Sequence, residues 1–266
     1  MKKTGCGISF LILCLSFLQN STAQTWKMVW HDEFDSTAIN RQNWAFDTGT
    51  AGDGWGNNEL EYYTDRPQNA RVENGNLLIT AKKERFNKRK YTSARLKTLG
   101  LHTFTYGKIE ARIKLPGRQG LWPAFWMLGD SIDDIGFPKC GEIDIMEYVN
   151  SDPTNHGTMH WLADHELASY GGTILVNNVN DYHIYTVEWD SNSIKWFVDG
   201  TQYWEGLVKD NINQTDAFHK PFFILLNLAV GGEWPGNPTH KTHFPQTMYV
   251  DYVRVYQKEY DSTGTK

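Results

Sequence analysis

Three acidic residues, Glu142, Asp144 and Glu147, lie within one short segment whose other members are mostly apolar. If the segment is a β-strand, Glu142 and Asp144 share one face, because side chains alternate with a period of two. Glu147 would then point into the core, where a lone carboxylate costs several kcal/mol. One extra residue, a β-bulge around Ile145 and Met146, returns Glu147 to the face of the other two. The sequence therefore predicts a bulged strand with three carboxyl groups on one face.

Three carboxyl groups on one face repel one another, so at least one pKa is expected to be raised. One residue type can then supply both an acid and a base or nucleophile, which is the chemistry of glycoside cleavage. An acidic solvated face and a calcium site are the alternatives that this motif leaves open. The spacing does not set the separation of the carboxyl groups. A flat strand would place the two glutamate Cα atoms ~13 Å apart, so the strand must curve for the side chains to converge.

The elements around this segment are predicted to be β-strands. Short runs with alternating or continuous apolar residues are separated by Gly, Asn, Asp and Pro, and no long segment has the 3.6-residue period of a helix. The clearest predicted strands cover residues 77–81, 106–115, 182–190, 193–199, 222–230 and 248–256, with a hairpin turn at Asp199-Gly200. The pattern indicates an all-β sandwich or barrel.

Composition narrows the possible partners. The chain has 266 residues and a formal net charge of −5, so neither a nucleic-acid partner nor an anionic membrane surface is expected. Eleven tryptophans are more than a core of this size usually needs. Some are expected to pack in the core, and others could stack on sugar rings.

The N-terminus resembles an export signal. Lys2 and Lys3 precede an apolar run from Ile8 to Leu18, which is too short to span a membrane as a helix. We predict a signal peptide over residues 1–23, cleaved after Ala23, and a protein that is secreted or periplasmic.

The remaining chain is predicted to form one catalytic domain over residues 24–260, followed by a frayed tail over 261–266. Cleavage of the signal would leave Cys140 as the sole cysteine, which excludes an intrachain disulfide. We expect Cys140 to be a small buried apolar residue and not a nucleophile.

The three acidic residues and their spacing resemble a motif of glycoside hydrolase family 16. Residues 142–147 match the motif ExDxxE of its laminarinase-like branch. The resemblance extends over almost the whole predicted domain, in the segments 30–34, 54–64, 91–95, 106–112, 120–129, 227–232 and 251–256. It implies a concanavalin A-like β-jelly-roll sandwich with a concave substrate cleft. It also implies retaining hydrolysis of internal β-glycosidic bonds without a cofactor for catalysis.

Roles follow from the resemblance, position by position. Glu142 is expected to be the nucleophile, Glu147 the general acid/base, and Asp144 the residue that tunes their protonation. The residues expected to bind the substrate are Asn57, Arg95, Trp122, Trp126, His160 and Trp234.

The resemblance also implies a structural calcium ion, bound through Glu33, Gly75 and Asp251, partly by backbone carbonyls. Oxygen ligands of this kind suit calcium. The alternative is that Asp251 merely points outward on its strand. A monomer is expected.

Another branch of the family has the shorter motif ExDxE, and Met146 is the extra residue that this chain has in comparison. The resemblance to the laminarinase-like branch therefore makes a β-1,3-glucan such as laminarin the expected substrate. Mixed-linkage β-1,3-1,4-glucan is the leading alternative. Marine galactans, or a non-catalytic glucan-binding protein on the same fold, are further alternatives.

Overall fold

A computed structural model describes residues 25–52 and 54–259. The predicted signal peptide and frayed tail lie outside the described residues. The described part of the chain is built from seventeen strands, which are β1 (Thr25–Asp32), β2 (Ala45–Asp47), β3 (Glu61–Tyr63), β4 (Ala70–Glu73), β5 (Asn76–Phe86), β6 (Arg89–Ser93), β7 (Arg95–Lys97), β8 (Gly107–Lys114), β9 (Leu121–Gly129), β10 (Glu142–Glu147), β11 (Thr154–Ala163), β12 (Glu166–Leu175), β13 (Tyr182–Trp189), β14 (Ser193–Val198), β15 (Thr201–Leu207), β16 (Phe222–Val230) and β17 (Gln246–Glu259). A short helix, α1 (Ile132–Ile135), joins β9 to β10.

The strands form two sheets that enclose one core. The first has the order β15-β14-β13-β8-β17-β5-β6-β3, with β1 paired to β17 and β4 paired to β5. The second has the order β12-β11-β10-β9-β16-β7-β2. Apolar side chains from both sheets, among them Ile109, Phe125 and Ile224, belong to a single buried cluster. The predicted all-β jelly-roll sandwich is confirmed.

Strand β16 is buried along its whole length, as its continuous apolar sequence predicts. Ile224 and Leu226 face the main core, whereas Phe223 and Leu225 pack in a second cluster on the other face. That second cluster includes Cys140, which is 2% exposed. Burial raises the pKa of the Cys140 thiol to about 11, so a thiolate is disfavoured at neutral pH. The prediction that Cys140 is a buried apolar residue is confirmed.

The hairpin between β14 and β15 turns at the predicted residues. Asp199 and Gly200 have φ values of 49° and 77°, and positive φ at both central residues is what a tight hairpin with right-handed twist needs. Two tryptophans, Trp189 and Trp196, are fully buried in the core. The indole of Trp189 donates to the carbonyl of Phe218 at 2.9 Å, and that of Trp196 to the carbonyl of Asp144 at 2.7 Å.

Candidate active site

Strand β10 carries the predicted bulge. Its pairing with β9 runs from Glu142 opposite Leu128 to Asp144 opposite Trp126, and then shifts by one residue before Met146. Its pairing with β11 shifts at the same place. Ile145 and Met146 both turn into the core and are fully buried. The bulge therefore brings the side chain of Glu147 to the outer face, beside Glu142 and Asp144.

The outer face of the seven-stranded sheet holds a cleft of about 670 Å³. Five neighbouring strands, β11, β10, β9, β16 and β7, form its floor. The carboxyl groups of β10 lie between a row of side chains on β9 and a row on β11, which alternate outward with the period of two. The residues that border the cleft include Trp55, Asn57, Glu59, Arg95, Trp122, Trp126, Phe137, Glu142, Asp144, Glu147, His156, Thr158, His160, Asn227 and Trp234.

Each catalytic candidate has its own polar neighbours. The indole Nε1 of Trp122 donates to Oε1 of Glu147 at 2.9 Å. Nε2 of His160 lies 3.2 Å from Oδ2 of Asp144, and the other ring nitrogen of His160 lies 2.6 Å from the hydroxyl of Ser169. Asp144 and Glu147 are buried to 3% and 9% exposure, whereas Glu142 is partly exposed.

Burial raises the pKa of all three carboxyl groups, and repulsion from neighbouring carboxylates adds to the shift for Glu142 and Glu147. Desolvation and the charge of Asp144 raise the pKa of Glu142, while the nearby His160 and Arg95 oppose this shift. Desolvation and the charge of Asp144 also raise the pKa of Glu147, and the Trp122 hydrogen bond opposes it. Desolvation raises the pKa of Asp144. The group therefore retains at least one proton at a pH where isolated carboxyl groups have lost theirs.

Glu142, Asp144 and His160 also form a set of metal-ligand types, with one atom from each within 4.8 Å of the others. It is the one such set of three or more His, Cys, Asp and Glu side chains in the described chain. A cation at this position would engage the carboxylate that is expected to act as the nucleophile. Acid–base chemistry therefore accounts better for the cluster.

The structure places all six residues predicted to bind the substrate around the cleft. Trp122 and Trp126 share the outer face of β9, and the indole of Trp126 donates to Oδ1 of Asn227 at 2.8 Å. Trp234 is 43% exposed, and its ring meets that of Trp122 edge to face at 5.4 Å. The rings therefore leave flat faces on which sugar rings can stack.

Arg95 combines a structural and a cleft position. Its Nε lies 3.0 Å from Oδ2 of Asp47, so Arg95 forms an ion pair within the protein. Its guanidinium carbon also lies 4.7 Å from the ring centre of Trp55 and 4.8 Å from that of Trp126. Stacking between two indoles fixes the orientation of the guanidinium at the edge of the cleft.

The loop of residues 54–58 presents Asn57 to the cleft through a run of left-handed backbone conformations. Gly54 has φ of 84°, and a Cβ at this position would lie 2.5 Å from the backbone nitrogen of Glu59. Only glycine fits there. The carbonyl of Asn57 accepts a hydrogen bond from the backbone N–H of Glu233 at 2.8 Å, which joins this loop to the loop that carries Trp234.

Several residues that border the cleft were not predicted from the sequence. His156 lies opposite Glu147 on β11 and packs against the Trp234 ring at 4.9 Å. Asn227 is a lone polar residue in the otherwise apolar β16, and that exception was a signal for a role in the cleft. The alternation of Glu59 and Glu61 ahead of Tyr63 was a second signal, because it places three polar side chains on one buried face.

The side-chain contacts at the predicted calcium position favour a different arrangement. Glu33 receives two hydrogen bonds from Arg254, at 2.9 and 2.8 Å. Oδ2 of Asp251 lies 2.6 Å from Nη1 of Arg112. Because arginines already neutralise both carboxylates, these side chains do not fit a cation, and only carbonyl oxygens such as that of Gly75 remain as ligands of the predicted kind. Structural calcium stays a prediction.

Comparison with known proteins agrees with this geometry. Residues 57–254 match the family model described as glycosyl hydrolases family 16. The chain is 41% identical to the beta-glucanase of Rhodothermus marinus, over 97% of this chain and 95% of that protein. It is 45% identical to the clotting factor G alpha subunit of Tachypleus tridentatus over 87% of this chain, which spans 34% of that longer protein.

The laminarinase catalytic domain from Thermotoga maritima MSB8 has the same fold. It superimposes with a TM-score of 0.81 at 45% sequence identity, over 87% of this chain and 98% of that domain. The chain therefore belongs to family 16 of the glycosyl hydrolases, in its laminarinase-like branch. No helix among the described residues has the length and apolar character needed to cross a membrane.

Proposed function

We propose that this domain is a retaining endo-β-1,3-glucanase that cleaves internal bonds of laminarin-type glucans. The observation that carries the proposal is the bulge in β10, which brings Glu142, Asp144 and Glu147 together on the floor of an aromatic cleft. The laminarinases among its relatives support the linkage.

In the first step, Glu142 attacks the anomeric carbon and forms a glycosyl ester. Glu147 donates its proton to the glycosidic oxygen as that C–O bond breaks, so the leaving sugar departs as a neutral alcohol. In the second step, Glu147, now a carboxylate, removes a proton from water. The water oxygen attacks the anomeric carbon, and Glu142 leaves as a carboxylate. Two displacements at one carbon retain its configuration.

The surroundings of the three carboxyl groups suit these roles. Glu147 is buried beside the charge of Asp144, which favours its protonated form. Burial and the charge of Asp144 raise the pKa of the partly exposed Glu142, whereas the nearby His160 and Arg95 favour its ionised form. Asp144 lies between them on the same face and couples their protonation.

The roles of the two glutamates are tested with Glu142→Ser and Glu147→Ala, both assayed on an aryl β-laminari-oligosaccharide with added azide. In Glu142→Ser, we expect loss of hydrolysis on the order of 10³-fold or more, and azide then yields the α-glycosyl azide by a single displacement. In Glu147→Ala, Glu142 still forms the ester, so azide yields the β-glycosyl azide. The assignment would be refuted if Glu142→Ser gave the β-glycosyl azide and Glu147→Ala the α-glycosyl azide. Full activity of Glu142→Ser would refute it as well.

The substrate is tested by release of short oligosaccharides from laminarin and from barley mixed-linkage glucan, with Glu142→Ser as the blank. Faster release from laminarin supports the proposal. Preference for the mixed-linkage polymer would establish the leading alternative instead. If the folded protein releases no oligosaccharide from either polymer, its substrate is a galactan or the protein binds glucan without cleaving it.

We also propose export through the predicted signal peptide at residues 1–23, followed by action of the domain at residues 24–260 as a monomer. The N-terminal sequence supports export. Mass spectrometry of the protein recovered from the medium or the periplasm tests this, and a mature N-terminus at Gln24 is expected.

A further inference from the structure

A second pair of carboxyl groups, Glu59 and Glu61, lies beneath the cleft and takes no part in the proposed mechanism. Alternation along β3 and the two residues before it places both on one face together with Tyr63. Glu59 is 4% exposed and borders the cleft, and Glu61 is completely buried behind it. Buried carboxyl groups are expensive unless their oxygens are paired, so their contacts show how the pair is held.

The oxygens of Glu59 accept hydrogen bonds from two side chains. Nδ2 of Asn57 donates to Oε1 at 3.2 Å, and the hydroxyl of Tyr63 donates to Oε2 at 3.1 Å. Oε2 of Glu61 accepts from the backbone N–H of Val230 at 2.6 Å. The second oxygen of Glu61 is buried, and no N–H or O–H group of the described residues donates to it.

The unpaired oxygen of Glu61 belongs to a carboxyl group that is buried on the same face as that of Glu59. Two ionised carboxylates buried on one face repel each other, so one of them is expected to keep a proton. Glu61 is the more deeply buried of the two, and burial together with the charge of Glu59 raises its pKa well above the usual range. The proton of the pair is therefore assigned to Glu61, and the negative charge to Glu59.

An ionised Glu59 fixes the direction of every hydrogen bond that leads from it to the cleft. Tyr63 has one hydroxyl proton and gives it to Glu59, so its oxygen must accept from Asn227, whose Nδ2 lies 3.2 Å away. The amide of Asn227 then turns its Oδ1 toward the cleft, where it accepts from the indole of Trp126 at 2.8 Å. A shorter branch leads from Glu59 to Asn57.

The charged groups near this pair leave the assignment unchanged. Arg89 donates to the backbone carbonyl of Glu59 at 3.2 Å. Arg95 is already paired with Asp47 and stacked between two indoles. Tyr63 retains its proton, because burial and the neighbouring charge of Glu59 raise its pKa well above the usual range.

We propose that the Glu59–Glu61 pair, holding one proton between its carboxyl groups, is a positioning device that orients Asn57 and Trp126 for sugar binding. This inference rests on the proposed function, because it takes Asn57 and Trp126 to bind the glucan. It concerns binding and not bond cleavage, since neither glutamate touches the reacting atoms.

The first test is spectroscopic and needs no substrate. The indole N–H resonance of Trp126 is identified in a ¹H–¹⁵N spectrum as the one missing from Trp126→Phe. Tyr63→Phe removes the donor to Glu59 and the acceptor for Asn227, and should shift this resonance. Glu61→Gln retains an N–H donor toward Glu59 and should leave it in place, whereas Glu61→Leu should shift it. An unmoved resonance in folded Tyr63→Phe and Glu61→Leu would overturn the inference.

The second test measures oligosaccharide binding by calorimetry, with Glu142→Ser as the parent so that the ligand survives. Laminari-oligosaccharide and mixed-linkage oligosaccharide are compared first, and the tighter ligand is used. Glu59→Gln or Tyr63→Phe should raise the dissociation constant roughly tenfold. Glu61→Leu should weaken binding similarly, and Glu61→Gln should restore it to within about threefold of the parent.

The outcomes separate the two proposals. If the folded parent binds neither oligosaccharide, the proposed function fails and this inference fails with it. If the parent binds and Tyr63→Phe and Glu61→Leu bind equally well, only the positioning role is refuted. If Glu61→Gln is as impaired as Glu61→Leu, the protonated state assigned to Glu61 is wrong. Tyr63→Phe leaves both carboxyl groups in place, so the test does not depend on the folding of Glu59→Gln.

Discussion

The hydrogen bond from Trp122 to Glu147 predicts a defined change in pH dependence. The indole N–H lies 2.9 Å from Oε1 of Glu147 in a buried site. A hydrogen bond stabilises a charged acceptor more than a neutral one, by about 1.5 kcal/mol, and about 1.36 kcal/mol corresponds to one pKa unit. The bond therefore lowers the pKa of Glu147 against the raising effects of burial and of the charge of Asp144.

Trp122→Phe keeps an aromatic ring but removes the donor, so the pKa of Glu147 should rise further. In the proposed mechanism Glu147 must be protonated in the first step, so the alkaline limb of kcat/KM would report the loss of that proton. This limb should move about one pH unit upward. Trp126→Phe is the matched control, because its indole donates to Asn227 instead of a catalytic carboxyl group. An alkaline limb that stays in place, moves downward or moves equally in the control would refute this reasoning.

Three further predictions concern binding, packing and reactivity. Trp126→Ala should raise KM for laminari-oligosaccharides several-fold with a small fall in melting temperature; a large fall with unchanged KM would show that the ring serves mainly in packing. Gly157→Ala places a Cβ 2.3 Å from the hydroxyl of Tyr203 and 2.5 Å from Cδ1 of Trp196, so chemical denaturation should show a loss of about 1–3 kcal/mol in unfolding free energy. Cys140 should resist iodoacetamide in the folded protein at neutral pH, because it is buried and its pKa is about 11; rapid alkylation seen by mass spectrometry would contradict that placement.

The strands and the bulge could be predicted because they follow from local periodicity. The run at 222–230 is apolar at eight of its nine positions and forms a strand buried on both faces. The bulge follows from a single conflict, since a regular strand would force Glu147 into the core. Its location at Ile145 and Met146 is confirmed by the shift in pairing on both sides of β10.

The hydrogen bonds between side chains beneath the cleft could not be predicted, because they join residues that are far apart in sequence. Tyr63 and Asn227 are hydrogen-bonded across a separation of 164 residues. Asn227 interrupts an apolar strand, so its sequence signals an exception without naming a partner. Likewise, the carboxylates of Glu33 and Asp251 suggest cation ligands, and only the fold shows that Arg254 and Arg112 occupy them.

The bulge in β10 is stabilised by a side chain of the opposite sheet. A bulge interrupts the regular ladder of hydrogen bonds, and a buried backbone carbonyl left without a donor there would be costly. The carbonyl of Asp144, immediately before the bulge, accepts from the indole of Trp196 at 2.7 Å. Trp196 lies on β14, in the other sheet, and is fully buried. The irregularity that places Glu147 beside Asp144 is thus stabilised from within the core, so the spacing of the three carboxyl groups depends on the packing of the two sheets and not on β10 alone.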